Sequence, residues 1–192
     1  MKDYSHVTMM LSLPRSRSQW MAWLFREKAK ITSWHDPLKD CEHPRDLVKM
    51  IDAQPVNAPL FIADTAAILF RDYLVNALPG LKTIFVSRHP TVVLQSIAAS
   101  AGRPTDRVTY NMVHRAHRRM QEHNGQSNFY GYQALDSDIV VQLIYERVTG
   151  QLPLMSRIEA ARKVVIDVPI LHQKVDPVKA EKLLQFSEIP LY

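Results

Sequence analysis

The chain has 192 residues, 46% of them apolar and 22% charged, which is the make-up of one globular domain (1–192) with a full core. Its only cysteine, Cys41, excludes an intramolecular disulfide framework and fits a reducing compartment. The net charge of +5, from 24 Lys and Arg against 19 Asp and Glu, favours anionic ligands without by itself pointing to nucleic acid.

Val7 to Leu13 is a short apolar run before Pro14, the pattern of a buried first strand. Ser18 to Lys30 reads as a helix with an apolar block at Trp20–Phe25 and a basic end, which suits the helix dipole. Ile31 to Trp34 is a candidate second strand that stops at His35-Asp36-Pro37, and Pro44 to Ala53 a helix with proline at its start. Leu60 to Ala63 is a third strand ending at Asp64-Thr65, followed by a helix from Thr65 to Leu78 that Pro79-Gly80 stops. Thr83 to Val86 is the clearest strand. Helices follow from Pro90 to about Ala101 and from Asp106 to His123, the second strongly basic. Asn124 to Ser137 reads as a loop or lid carrying Phe129, Tyr130 and Tyr132. Asp138 to Thr149 is a helix closed by Gly150. Lys163 to Val168 is a last strand and Pro177 to Phe186 a last helix. Short continuous apolar strands alternating with helices predict an α/β domain, a parallel sheet with helices on both faces.

Two segments stand out within that pattern. Leu13-Pro14-Arg15-Ser16-Arg17-Ser18-Gln19-Trp20 and Ile84-Phe85-Val86-Ser87-Arg88-His89-Pro90 are each a strand that runs into a turn rich in basic and hydroxyl groups. Each turn opens a helix, where free N–H groups and the dipole favour phosphate or sulfate. In such sheets ligands bind beyond the carboxyl ends of the strands, where both turns lie. Two turns of this kind imply a ligand anionic at both ends.

Pro14-Arg15-Ser16-Arg17-Ser18-Gln19-Trp20 resembles the 5′-phosphosulfate loop of sulfotransferases, Pro-[Lys/Arg]-Ser-Gly-[Ser/Thr]-[Ser/Thr]-Trp. The segment Leu78 to Pro90 with Ser96 is similar to the family's 3′-phosphate segment, and Arg88 and Ser96 keep its eight-residue interval. Val164 to Val168 and Leu183 to Pro190 resemble the family's late strand and the helix and turn after it. The resemblance implies a P-loop NTPase-like sulfotransferase fold. It also implies transfer of a sulfuryl group from 3′-phosphoadenosine 5′-phosphosulfate (PAPS) to a hydroxyl or amine, leaving PAP, without a metal. By the same resemblance Arg15 sits near the bridging and leaving oxygens. Ser16, Ser18, Gln19 and the local backbone hold the 5′-phosphate, Trp20 lies against the adenine, and Arg88 with Ser96 binds the 3′-phosphate. Trp20 also belongs to an apolar helix face and reads equally as core. The loop departs from the family at two places. Gln19 replaces a hydroxyl residue, and Arg17 replaces the glycine that lets the backbone turn with positive φ. An arginine in the left-handed region costs about 1 kcal/mol or more, unless the loop takes another conformation, while Arg17 also adds a cation.

A transferase of this kind needs a base for the acceptor proton; members of the family use His or Glu. His35 is the first candidate and Asp36 the second, both ending the second strand on the edge that carries the phosphate turns. Asp64, which equally suits capping the next helix, is the third. On the long basic helix, Arg115/Arg119 and His114/Arg118 form two stripes, read either as a solvated face or as a wall of the cofactor or acceptor pocket. Arg103, in the loop before that helix, is a further candidate for the 3′-phosphate.

The expected acceptor is a small molecule or glycan. No membrane or nucleic-acid partner is expected, and with no signal-peptide pattern and no apolar stretch long enough to span a bilayer the expected compartment is the cytoplasm. Two other readings stay open. A P-loop nucleotide kinase or hydrolase requires Gly-x-x-x-x-Gly-Lys-[Ser/Thr], yet no glycine occurs before Gly80. A catalytically silent nucleotide-binding module of the same fold is compatible with Arg17 in the loop.

Overall fold

The computed structural model describes residues 2–56 and 58–151. The strand expected at 163–168, the helix expected at 177–186 and the late motif segments lie outside the described residues. Five strands, all paired in parallel, make one sheet in the order β2-β3-β1-β4-β5: β1 Val7–Ser12, β2 Thr32–His35, β3 Leu60–Asp64, β4 Lys82–Ser87 and β5 Phe129–Gly131. All six residues of β1 are buried, because this strand has a neighbour on each edge and helices on each face. That is why its sequence is apolar without alternation.

The helices divide between the two faces. One face carries Val7, Met9, Leu11, Leu60, Ile62 and Phe85. It is covered by α2 (Pro44–Asp52), α3 (Arg71–Ala77), α4 (Pro90–Ala101) and α5 (Arg107–Gln121), through residues such as Leu47, Leu74, Val93 and Val113. The other face carries Met10, Phe61, Ala63, Ile84 and Val86, covered by α1 (Ser18–Leu24) and α6 (Asp138–Thr149). Both-sided cover of a parallel sheet is what the sequence pattern predicts. Cys41 is buried in the first of these cores.

Several elements differ in detail. The helix expected over Ser18 to Lys30 is α-helical only to Leu24 and then widens into a π-helical turn, Phe25–Ala29. The Phe25 ring lies 4.2 Å from that of Phe61 and 5.7 Å from that of Tyr145, so core packing is served at the point of widening. The helix expected from Thr65 begins as a 3-10 turn, Ala67–Phe70, and becomes α-helical at Arg71.

The largest correction concerns 124–137, expected as a loop. It contains β5 and a 3-10 helix, Tyr132–Asp136. The Asn128 amide donates to the Thr83 carbonyl at 2.8 Å, and Phe129, Tyr130 and Gly131 pair with Phe85, Val86 and Ser87. A three-residue strand has no periodicity to read; only the exposed edge of β4 makes it one. Gly80 has φ +88, a turn whose Cβ would run into Asp3 and lie 3.1 Å from the Ser5 amide, so this stop needs glycine.

Candidate functional site

After β1 the chain turns onto one face of the sheet as α1, while after β4 it turns onto the opposite face as α4. The two departing loops therefore part over the carboxyl ends of β1 and β4, the place where an open parallel sheet forms its ligand crevice. Both basic turns border it.

They also touch. Arg15 Nε donates to Ser96 Oγ at 3.2 Å, and an Arg88 guanidinium N–H donates to the Arg15 carbonyl. Thus Arg15, Arg88 and Ser96, assigned separately to two ends of a ligand, form one cluster. Among the described residues neither Arg15 nor Arg88 is ion-paired, and Arg88 Nε is buried without a hydrogen-bond partner. The Ser12 and Ser16 hydroxyls are likewise buried and unpartnered, Ser12 at the end of β1 and Ser16 in the loop. Buried polar groups are ordinarily satisfied. Two uncompensated guanidiniums beside buried unsatisfied donors fit an anion.

The loop backbone is unusual for its sequence. Arg15 and Arg17 both have φ of 62, the left-handed region that glycine normally fills. Arg17 therefore adopts the left-handed backbone that a glycine would adopt without strain, although the residue is arginine. Paired outliers of this kind are concentrated at functional loops, where surrounding contacts hold the strain.

Arg17 does not add to the free positive charge. One of its terminal nitrogens lies 2.6 Å from Asp136 Oδ1, and its guanidinium sits 5.0 Å from the centre of the Tyr132 ring. Burial pulls its pKa down, but Asp136 and Tyr132 outweigh that and hold the group more firmly protonated than usual. Arg88 lies over the same ring at 4.3 Å. Sequence marks Tyr132 only as one of three aromatics, with Phe129 and Tyr130, of a candidate acceptor lid, and gives no signal for Asp136.

Gln19 is exposed, and Trp20 is half-buried against the α1–α6 core, the packing role its apolar helix face suggests. Ser18 is buried, and its hydroxyl lies 3.1 Å from His35 Nε2. His35 in turn is 3.4 Å, through the same nitrogen, from Asp36 Oδ2. Ser, His and Asp thus meet, but not as a nucleophilic triad, in which the carboxylate holds the other ring nitrogen. Burial lowers the His35 pKa, Asp36 acts against this, and Lys39 adds to the lowering. The lowering favours the neutral ring, the state that accepts a proton.

Asp36, at φ 48, accepts the Thr65 N–H through Oδ1 at 2.9 Å. Asp64 is fully buried and takes three backbone N–H groups: Leu38 at 2.9 Å, and Ala66 and Ala67 at 2.8 Å each. It caps the 3-10 turn, the alternative its position suggested. Burial first, then the charge of Asp36, pushes its pKa up to about 7 against the pull of these N–H groups.

On α5, Val113, Ala116 and Met120 face the core. Gln121 donates to Ser87 Oγ at 3.2 Å, and His117 lies 6.4 Å, ring to ring, from His89. Arg119 is tied to Asp72 and Glu122. One edge of the basic helix thus reaches the end of β4, and part of the rest is a salt-bridged outer face. Arg103 is exposed, just past the Gly102 cap of α4.

Among the described residues no helix is long and apolar enough to cross a membrane, and no group of three or more His, Cys, Asp or Glu is placed to hold a metal ion. The chain matches no protein-family profile, and no curated protein matches it in sequence. Among solved structures, it is similar to a gluconokinase from Sinorhizobium meliloti 1021, with a TM-score of 0.45 and 13% sequence identity over 82% of this chain and 95% of that one.

Proposed function

We propose that the β1/β4 crevice binds a nucleotide carrying phosphate at two positions, and that the protein transfers a sulfuryl group from PAPS to a hydroxyl or amine of a small-molecule or glycan acceptor. The observation that carries this reading is the meeting of Arg15, Arg88 and Ser96 with both arginines lacking a carboxylate partner among the described residues. The likeness of the two motif segments to sulfotransferases supports the donor.

In this reading Arg88 and Ser96 take the 3′-phosphate, and Arg15 with the loop N–H groups and the Ser16 hydroxyl takes the 5′-phosphate. Arg15 then stabilises the charge that grows on the 5′-phosphate oxygen as its bond to sulfur breaks. The acceptor oxygen or nitrogen attacks sulfur from the opposite side and gives its proton to neutral His35. Ser18 links His35 to the loop from the side away from β4, so base and 3′-phosphate groups flank the loop. Because the transition state is loose, positioning and charge account for most of the rate.

A second reading, a nucleotide kinase or hydrolase, rests on Asp36 and Asp64 at the adjacent ends of β2 and β3, where a magnesium-binding acid would serve. Its weakness is that Asp64 spends its oxygens on three backbone N–H groups, and the loop has no lysine. A silent nucleotide-binding module is the third.

Calorimetric titration with PAP without metal, and with ATP plus Mg²⁺, separates these readings. Micromolar PAP binding with weak ATP binding, followed by label transfer from radiolabelled PAPS to an acceptor panel, is the expected result. Magnesium-dependent ATP turnover with no PAP binding overturns the sulfuryl reading in favour of the kinase. PAP binding with no transfer to any acceptor leaves the silent module.

A further inference from the structure

We propose that Arg17 is a latch joining the loop after β1 to the 3-10 helix Tyr132–Asp136, and that an anion entering the crevice competes with Asp136 for it. The competition rests on the crevice being an anion site; the latch itself does not.

Three contacts define the latch. Arg17 makes the 2.6 Å ion pair with Asp136 and lies on the Tyr132 ring, while Arg88 lies on the same ring from the other loop. Tyr132 is thus held by two guanidiniums that reach it from the two sides of the crevice. Of the three arginines bordering the crevice, only Arg17 has a carboxylate partner among the described residues, so Asp136 takes the place of a ligand anion at one of the three cations.

The arrangement is built to yield. The Asp136 side chain is 60% exposed, so its attraction for Arg17 is screened by water and worth little. The segment's entry is anchored by the three-residue strand β5 at the sheet edge. A dianion beside Arg15 and Arg88 brings twice the charge of Asp136 to the two cations that have no carboxylate partner among the described residues. As it recruits Arg17, the Tyr132–Asp136 turn is released and the crevice opens toward solvent on that side. A glycine in place of Arg17 would serve the loop conformation but could make no such link.

Amide hydrogen exchange of residues 129–136 in the ligand-free protein tests the latch directly. Arg17→Gly and Asp136→Asn should each speed exchange there, and the double variant should be no faster than either single one. Unchanged exchange in both single variants overturns the latch. Inorganic pyrophosphate, which needs only the anion site, tests the competition. Asp136→Asn should bind it about threefold more tightly than the native protein, the scale of an exposed ion pair. Arg17→Gly should abolish that difference. Equal or weaker binding by Asp136→Asn, or no pyrophosphate binding by any variant, overturns the competition. Pyrophosphate binding without PAP binding would count against the nucleotide reading alone.

Discussion

Arg15 and Ser96, 81 positions apart, are joined by a hydrogen bond of 3.2 Å from Nε to Oγ. The bond ties the loop after β1 to α4, and Arg88 braces it by donating to the Arg15 carbonyl. The residues proposed for the two ends of the nucleotide thus hold one another in place before any ligand arrives, which reduces the ordering cost of binding.

Arg88→Ala should therefore weaken PAP binding by about tenfold or more, since charge-assisted hydrogen bonds contribute about 1.5–3 kcal/mol. Ser96→Ala removes a neutral hydroxyl and should cost only a few-fold. Arg88→Lys should rescue little, because an ammonium cannot reproduce both the planar contact with Tyr132 and the N–H to Arg15. Calorimetry with PAP reads all three; unchanged affinity in Arg88→Ala would remove the 3′-phosphate assignment.

At position 17 strain and side chain can be separated. Arg17→Ala and Arg17→Gly both lose the Asp136 pair and the Tyr132 contact, but only glycine relieves the left-handed backbone. The glycine variant should be more stable than the alanine variant by about 1 kcal/mol. Urea unfolding measures this, and equal stabilities would mean the loop carries no strain there.

His35→Ala should reduce sulfuryl transfer by about 10²-fold or more while leaving PAP affinity intact. Because burial holds the His35 pKa below its ordinary value, the native rate should rise with pH in the acid range and level off by neutrality. A rate profile between pH 4.5 and 8 checks the sign. Loss of activity in Asp36→Ala with full activity in His35→Ala would move the base by one residue.

Asp64 makes stability depend on pH in the opposite sense from the usual carboxylate. Its pKa is about 7 in the fold and near 3.8 in the unfolded chain, so between these values the fold holds the extra proton. Its contribution is complete below about pH 4 and is lost as pH rises through 7. The lowered pKa of His35, His43, His117 and His123 works the other way, stabilising above the ordinary histidine value and losing that as pH falls. Asp64→Asn should therefore remove a component that declines from pH 4 to 7. Subtracting the variant's urea-unfolding profile from the native one isolates it; a difference that is flat across this range would refute the assignment.

Much of this architecture is legible in the chain itself. Continuous apolar runs mark β1, β3 and β4. Proline and glycine punctuate α2, α4 and α6, whose ends fall within a residue of those expected. The two basic turns are visible as motifs; Ser96 is marked only by the resemblance of its eight-residue interval from Arg88 to the sulfotransferase pattern. Local composition carries these features because burial and turn geometry act residue by residue. It does not carry β5, which three residues form only against the edge of β4.

What the sequence by itself determined was the α/β class, the order of its main elements, and the two turns where cations collect. What only the tertiary structure decided was how those cations are shared out. Arg15 and Arg88 stay uncompensated because no described carboxylate reaches them, while Arg17 is claimed by Asp136 and Tyr132 from a segment more than a hundred residues away. The same holds for the carboxylates. Asp36 and Asp64 look alike in the chain, yet burial makes one a cap and leaves the other beside His35. Charge is a property of a residue, but its partner and its desolvation depend on which strand ends lie side by side, and no local pattern records that.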